Sequence, residues 1–552
     1  MVWSEESTED DLLEMISEDP QIVDLFHGGE YMIHFAAKKG WYKVIVKLRD
    51  SGCKRTDDLD GYGRYPLYYA VKGGHVPAVE ELVRMGSKSI DTPNPENSTE
   101  LLILSFRGCS SSYEAFMKTN DEFLKKGEFL KKDNFMCAPM CMAAFNGDTD
   151  MIETLVKLGS RGLDKHGGSG WTPIWIASFC GHVLAVERLI QLGSNAMNTP
   201  NFNGVTPMHA AAHRRHYEVV KSLVRFGSGD IDALTNHGTT ALHYAAESGS
   251  TEIVEMLIQL GSKALDLPNT QSGVTPMIYA CRYGHISVVE LLIRLGSKAI
   301  DTPDRNGWTP MHEAAWNDNV LVIETLVRLG SKAIDTPNRH DGRSPLNLAA
   351  WHGGDSTIET LVRLGSKAID TPDKYGCTPL HAAASRGHFS VIEALVRLGS
   401  TTIDTPANNG CTPLNGAASA GQVSVIETLV RLGSNAIDTP DNDGRTPLRE
   451  AMRCNRISVV ETLFRFGSKA IDSHNIWDGF FGGICSRECL RVVAALSSQP
   501  IPEEKYELVG KIDEKFVRKT RFRVYFGQSL TSRLLFENDR ISFIAQVNHR
   551  LL

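Results

Sequence analysis

Two stretches of this chain are nearly the same. Residues 295–315 read LGSKAIDTPDRNGWTPMHEAA and residues 364–384 read LGSKAIDTPDKYGCTPLHAAA. With the proline of Thr-Pro as reference, equivalent positions fall at Met32, Pro66, Glu100, Pro139, Pro173, Pro207, Ala241, Pro276, Pro310, Pro345, Pro379, Pro413 and Pro447, spaced by 34 residues, by 35 twice and by 39 once. A decayed further copy, GFFGGICSRECLRVVAAL, falls around Phe481. A fixed period of this size marks a stacked array, in which each unit buries its apolar side against the next. Stacking also accommodates 552 residues, more than the roughly 250–300 that one compact core supports.

Residues 373–406, DKYGCTPLHAAASRGHFSVIEALVRLGSTTIDTP, show what one unit predicts. Thr378 suits a helix N-cap and Pro379 the first helical position, where a missing N–H costs nothing. Ala382 to Ala384 keep one face thin for close helix packing, and Gly387 permits the tight turn that ends the first helix. In a second helix Val391, Ile392, Leu395, Val396 and Leu398 recur at helical spacing, with Gly399 as the left-handed residue after it. The following Ser-Thr-Thr-Ile-Asp-Thr-Pro reads as an extended turn. Neither helix is long enough to stand alone, since isolated helices under roughly 12–15 residues are marginal in water.

Asp373 to His388 spell D-x-x-G-x-T-P-L-H-x-A-A-x-x-G-H, which resembles the ankyrin repeat. The resemblance covers roughly residues 31–498 and implies a mostly α fold, an ankyrin-repeat solenoid of stacked helix–turn–helix–hairpin units. The family's usual period is about 33, so the GSKAIDTP segment adds a residue between the second helix and the next hairpin tip. This is expected to reshape the hairpin without breaking the stack.

Constant positions have structural explanations. Ten of the 18 histidines occupy two repeat positions: His34, His209, His243, His312 and His381 after T-P-L, and His75, His182, His216, His285 and His388 after the turn glycine. Equivalent positions in different repeats do not converge on a metal, and the resemblance implies that these rings hydrogen-bond the backbone. Second helices repeat Glu with Arg four residues on, as in Glu290/Arg294, Glu324/Arg328, Glu359/Arg363, Glu393/Arg397, Glu427/Arg431 and Glu461/Arg465. These are expected to pair along each helix and neutralise the arginine row, which speaks against nucleic acid. Cys377 and Cys411 sit in adjacent repeats, too far apart to bridge. Cys137/Cys141 and Cys485/Cys489 lack the second ligand pair that a zinc site needs. The phosphate-loop, nucleophile-elbow, kinase and H-E-x-x-H motifs are all missing, so no catalytic residue, cofactor, metal or small-molecule substrate is expected.

Variable positions carry the functional expectation. The resemblance implies that partners dock on hairpin tips and on the exposed part of the first helix, which line a concave face. The sixth residue after the reference proline is aromatic at Phe145, Phe179, Trp316 and Trp351, where it should face solvent, and the tip position two before that proline adds Trp171 and Trp308. Rigidly held aromatics are frequent interface anchors. Two partner-binding patches are therefore expected, one around Phe145, Trp171 and Phe179 and another around Trp308, Trp316 and Trp351; the alternative is that each ring packs on the neighbouring repeat. Residues 122–132, EFLKKGEFLKK, lengthen one link by a tolerated surface insertion or by a finger aimed at a partner.

Residues 1–30 hold ten acidic residues and no Lys or Arg, and their DDLLEMIS and QIVDLF stretches suit a short N-terminal cap. The period is lost after 498. Within 499–552, RFRVYF and SRLLFENDRISFIAQV predict a small β-containing segment, a hairpin or cap, and the stretch from Lys511 to Arg523 is the most basic of the chain. Residues 489–509, CLRVVAALSSQPIPEEKYELV, are similar to the C-terminal box by which some ankyrin proteins recruit a ubiquitin-ligase core. The chain shows no signal peptide and no apolar run near the ~18 residues that span a bilayer, and its eleven scattered cysteines fit a reducing compartment. The reading is a cytoplasmic, non-enzymatic scaffold for protein–protein interaction, with a ubiquitin-ligase substrate adaptor as the alternative.

Overall fold

The structure, a computed structural model, describes residues 3–92, 138–167 and 169–469, together with the backbone of 530–537 and 540–547. The third copy at Glu100, the EFLKKGEFLKK stretch, the decayed copy at Phe481, the ligase-box resemblance and RFRVYF lie outside the described residues. Contacts divide the chain into two compact units, Met1–Ala280 with Arg294–Ser297, and Cys281–Ile293 with Lys298–Leu552.

In the first unit an acidic helix, Glu9–Glu18, is started by a capping box between Thr8 and Asp11 and buries Leu12, Met15 and Ile16. A 3-10 turn (Pro20–Asp24) and a two-residue antiparallel strand pair, Phe26–His27 with Glu30–Tyr31, lead into the repeats. From there each described repeat is a helix pair, and its first helix begins at the reference position: Met32–Lys39, Pro66–Lys72, Pro139–Asn146, Pro173–Cys180, Pro207–His213 and Ala241–Ser248. The second unit continues with Pro310–Trp316, Pro345–His352, Pro379–Arg386, Pro413–Ala420 and Pro447–Arg453, each followed by a nine-residue second helix such as Phe389–Arg397. Residues 530–537 and 540–547 pair as an antiparallel hairpin, with Glu537 opposite Arg540, as expected of SRLLFENDRISFIAQV.

The repeat at Pro379 shows why two short helices hold. Leu380, Val391, Ile392 and Leu395 are fully buried, each worth roughly 1.5–3 kcal/mol against exposure. Val396 and Leu398, also expected on this face, are only half-buried. Gly387 and Gly399 take φ of +89° and +102°, the left-handed region where an L side chain strains. First helices pack on first helices and second on second within each unit.

The segment between the second helix and the next hairpin tip has a specific use. Expected to be an extended turn, it is a plain turn at 400–406, as expected, and in several other repeats it closes into one 3-10 turn, as at Ala299–Asp301, Ala333–Asp335 and Ala368–Asp370. With or without the 3-10 turn, the aspartate of this segment binds the next repeat. Ser331 Oγ donates to Asp301 Oδ1 at 2.5 Å and the Lys332 amide to Oδ2 at 2.9 Å. Ser366 and Lys367 bind Asp335 in the same way, at 2.5 and 2.9 Å. The letters GSK and AID are thus two halves of one inter-repeat clamp, which accounts for their near-invariance along the chain.

The glutamate–arginine pairing differs from expectation. Arg328 binds Glu290, Arg363 binds Glu324, Arg397 binds Glu359, Arg431 binds Glu393 and Arg465 binds Glu427. Each pair joins neighbouring second helices rather than successive turns of one helix. Adjacent helix axes lie about 8–10 Å apart, within the span of the two extended side chains. Same-helix pairs form at Glu80/Arg84 and Glu153/Lys157. From Arg328 to Arg465 the arginine row is neutralised, but sideways.

Candidate partner-binding face

The first helix of each repeat sets up this face. Where the N-cap is Thr or Ser, it and the side chain two residues into the helix lock the hairpin. Thr309 Oγ1 and His312 Nδ1 lie 2.8 Å apart, and the His312 Nε2 donates to the Arg343 carbonyl of the next hairpin at 3.2 Å. His209 reaches the Ala233 and Thr239 carbonyls at 3.0 and 3.2 Å, and His381 reaches Cys411 at 3.0 Å. Burial pushes His209, His243 and His312 down to about 4, so these rings are neutral at physiological pH. The second histidine set ties the helix ends to the preceding repeat: His182 Nε2 meets the Phe145 carbonyl at 2.8 Å, His216 that of Phe179 at 3.0 Å and His388 that of Trp351 at 3.1 Å. The carbonyls so held belong to the sixth-position aromatics, which fixes their backbone.

All six expected site residues are half-buried rather than solvent-facing. In the first unit Trp171 stacks on Trp175 at 4.6 Å and 7°, and Trp175 stacks on Phe179 at 5.3 Å and 12°. Arg214 of the following repeat lies over Phe179, 4.7 Å from the ring centroid. Phe145 contributes its carbonyl, and its ring is not part of this stack. In the second unit Trp308 meets Trp316 edge-on at 5.2 Å, and Trp316 packs against His352. Trp351 instead carries two guanidinium groups, Arg343 at 4.3 Å and Arg386 at 4.0 Å. The second expected patch therefore resolves into two groupings.

One arrangement underlies these contacts. The ring at the sixth position is approached by its own hairpin tip (Trp171, through Trp175; Trp308; Arg343) and by the seventh position of the next repeat (Arg214; His352; Arg386). Closure from both sides accounts for the half-burial. Each ring keeps an exposed edge on a rigid base.

Sequence reasoning missed Trp175. It is 5% exposed, and its indole Nε1 donates to the Val205 carbonyl at 2.9 Å, as the histidines at this position do. The signal was a tryptophan standing where other repeats have histidine. Also missed were two buried carboxylates at the third position. Glu313 receives the Arg282 guanidinium through two bonds, 2.6 and 3.0 Å. Glu450 is held by Arg453 at 2.7 Å and Arg445 at 3.3 Å. Beside Glu450, Gly416 and Ser419 leave a cleft of about 380 Å³ that Asn409, Cys411 and Asp441 also line.

Burial pushes the Cys377 and Cys411 thiols up to about 11, away from the thiolate that a nucleophile requires. Among the described residues no three His, Cys, Asp or Glu side chains gather to hold a metal, and no helix is long and apolar enough to cross a membrane.

Comparison with known proteins agrees with this geometry. A family profile described as Ankyrin repeats (3 copies) matches residues 185–268, 260–336, 329–406 and 400–473, together more than half of the chain, and Ankyrin repeats (many copies) matches 33–83. The human transient receptor potential cation channel subfamily A member 1 is 26% identical over 165 residues, 25% of this chain and 14% of that protein. The match thus spans a small part of that relative's length. A crystal structure of the human ASB11 ankyrin repeat domain aligns at 26% identity with a TM-score of 0.37, covering 42% of this chain and 98% of that one. With period, capping, turn geometry and family match in agreement, the chain belongs to the ankyrin-repeat family.

Proposed function

We propose that this chain is a non-enzymatic protein-interaction scaffold that takes its partner on the face formed by the hairpin tips and first helices. One observation carries the reading. Phe179 and Trp351 are each held by a neighbour's histidine at the backbone and by side chains on two sides, and Trp316 by side chains on two sides, yet all three rings are only half-buried. A ring ordered before binding loses little entropy on contact, which is how an anchor gains affinity. In this reading residues 1–30 cap the array, 31–498 present the face and 499–552 form a small β unit. The free thiols of the described cysteines accord with a reducing, intracellular setting.

The test compares affinity capture by the full chain with capture by Trp316→Ala, Trp351→Ala and, on the opposite helices, Arg363→Ala, read by quantitative mass spectrometry. Partners lost with the tryptophan variants and kept with Arg363→Ala support the face. Partners kept by folded tryptophan variants refute it.

A further inference from the structure

Many of the described arginines are held by carboxylates, and those without one differ in what holds them instead. The second-helix arginines Arg328, Arg363, Arg397, Arg431 and Arg465 each meet a glutamate of the repeat before. On the first-helix face Arg282 is bound by Glu313, Arg453 by Glu450, and Arg343 by Asp341 at 3.2 Å and Asp373 at 3.3 Å. Arg386 is different. It is exposed, its guanidinium lies 4.0 Å from the Trp351 centroid, and among the described residues no carboxylate comes within ion-pair distance of it. Arg214, half-buried over Phe179 at 4.7 Å in the other unit, likewise has no carboxylate within ion-pair distance among the described residues. Both occupy the seventh position, beside a sixth-position aromatic of the preceding repeat.

We propose that Arg386, held against Trp351, is a docking point for an aspartate or glutamate of an acidic segment in the protein partner, and that Arg214 on Phe179 serves the same purpose in its own unit. The proposal rests on the reading of this face as the partner-binding one. Stacking covers a guanidinium's flat side and leaves its edge N–H groups free, a rigid fork that fits a carboxylate through two parallel bonds. Cation–π contact supplies the orientation without neutralising the charge. Beyond Arg386 the surface flattens, because the sixth position is Ser385 and then Ser419 and the third is Ala382 and then Gly416, which gives an extended segment room to lie. A nucleic acid would need a row of unpaired cations, and the arginines flanking this one are already matched. A purely structural role is the alternative: Arg386 ends the helix Pro379–Arg386, where any cation favours the helix dipole. Lysine would serve that role equally well.

The experiment pans the full chain against a randomised peptide library and measures the enriched peptides by fluorescence anisotropy. Acidic peptides should be enriched. Arg386→Ala should weaken their binding about tenfold or more, as loss of a charge-assisted hydrogen-bonded pair does. Arg386→Lys should restore only part of it, and all three proteins should share one urea midpoint. Full rescue by lysine, or acidic peptides indifferent to Arg386→Ala, overturns the proposal. Enriched peptides without acidic residues that still lose binding to Trp316→Ala overturn it and leave the scaffold reading standing. Peptides indifferent to both Trp316→Ala and Trp351→Ala, or no enrichment at all, count against both.

Discussion

Mild acid should loosen this fold well before its carboxylates titrate. His209, His243 and His312 are buried and neutral, with pKa values pushed down to about 4, against about 6.5 for an unstructured histidine. Between those values the unfolded chain binds protons that the folded chain refuses. The stability these rings contribute is therefore fully present above about pH 6.5 and is lost as pH falls toward 4. Integrating the difference in bound protons gives about 2 kcal/mol per ring at about pH 5, so about 4 for the first unit and about 2 for the second. His34, His213, His216, His352 and His381 are lowered in the same direction and add to the loss.

The chain supplies its own control. Asn347 and Asn415 stand where those histidines stand. Thr412 Oγ1 donates to the Asn415 side-chain oxygen at 2.6 Å, and Asn415 Nδ2 donates to the Arg445 carbonyl at 3.2 Å. Asn347 Nδ2 reaches the Thr371 carbonyl at 3.0 Å. A variant carrying His209→Asn, His243→Asn and His312→Asn should keep the scaffold and lose about 6 kcal/mol of its pH dependence. The assay is urea unfolding followed by far-ultraviolet circular dichroism at a series of pH values from neutral to about 5. A wild-type midpoint that does not move over that range refutes the argument, as does an equal shift in the triple variant.

Three further outcomes follow from the same contacts. Asp335→Ala should cost about 2–3 kcal/mol, because Ser366 and the Lys367 amide lose a shared charged acceptor; Asp335→Asn should cost less, since Asn198 already accepts from Ser228 at 2.6 Å, and urea midpoints decide between them. Arg215→Gly should stabilise by about 1 kcal/mol by relieving a left-handed φ of 63°, whereas Asp318→Gly should gain little or nothing, because it gives up the 2.6 Å bond from Thr357; thermal denaturation of the two variants separates these outcomes. Arg397→Ala, which removes an exposed partner of Glu359, should change stability by under about 1 kcal/mol, and a larger drop in the melting curve would show the inter-helix ladder to be stronger than surface pairs generally are.

Local signals were legible and lateral ones were not. Thr378, Pro379, Gly387 and Gly399 act on their own backbone within a few residues, so their letters fixed the helix starts and turns in advance. Glu359 has an arginine four residues on, Arg363, and another one repeat further, Arg397. The same letters satisfy both pairings, and only the packing of adjacent helices selects Arg397. For the same reason the sequence left open whether Trp351 faces solvent or packs on its neighbour, since the half-burial of the ring depends on Arg386, which is remote along the chain and adjacent across the stack. The position two residues into the first helix makes the case from the other side. Histidine, asparagine and, in Trp175, an indole all send an N–H to the next hairpin's carbonyl. What the array preserves there is a donor at a fixed reach, and a reader looking for one residue type sees a departure where the structure performs the same bond. In such a chain a changed letter at a scaffold position means little until its neighbour one repeat away is known, whereas an arginine that no neighbour answers, such as Arg386, leaves a charge for something outside the stack to meet.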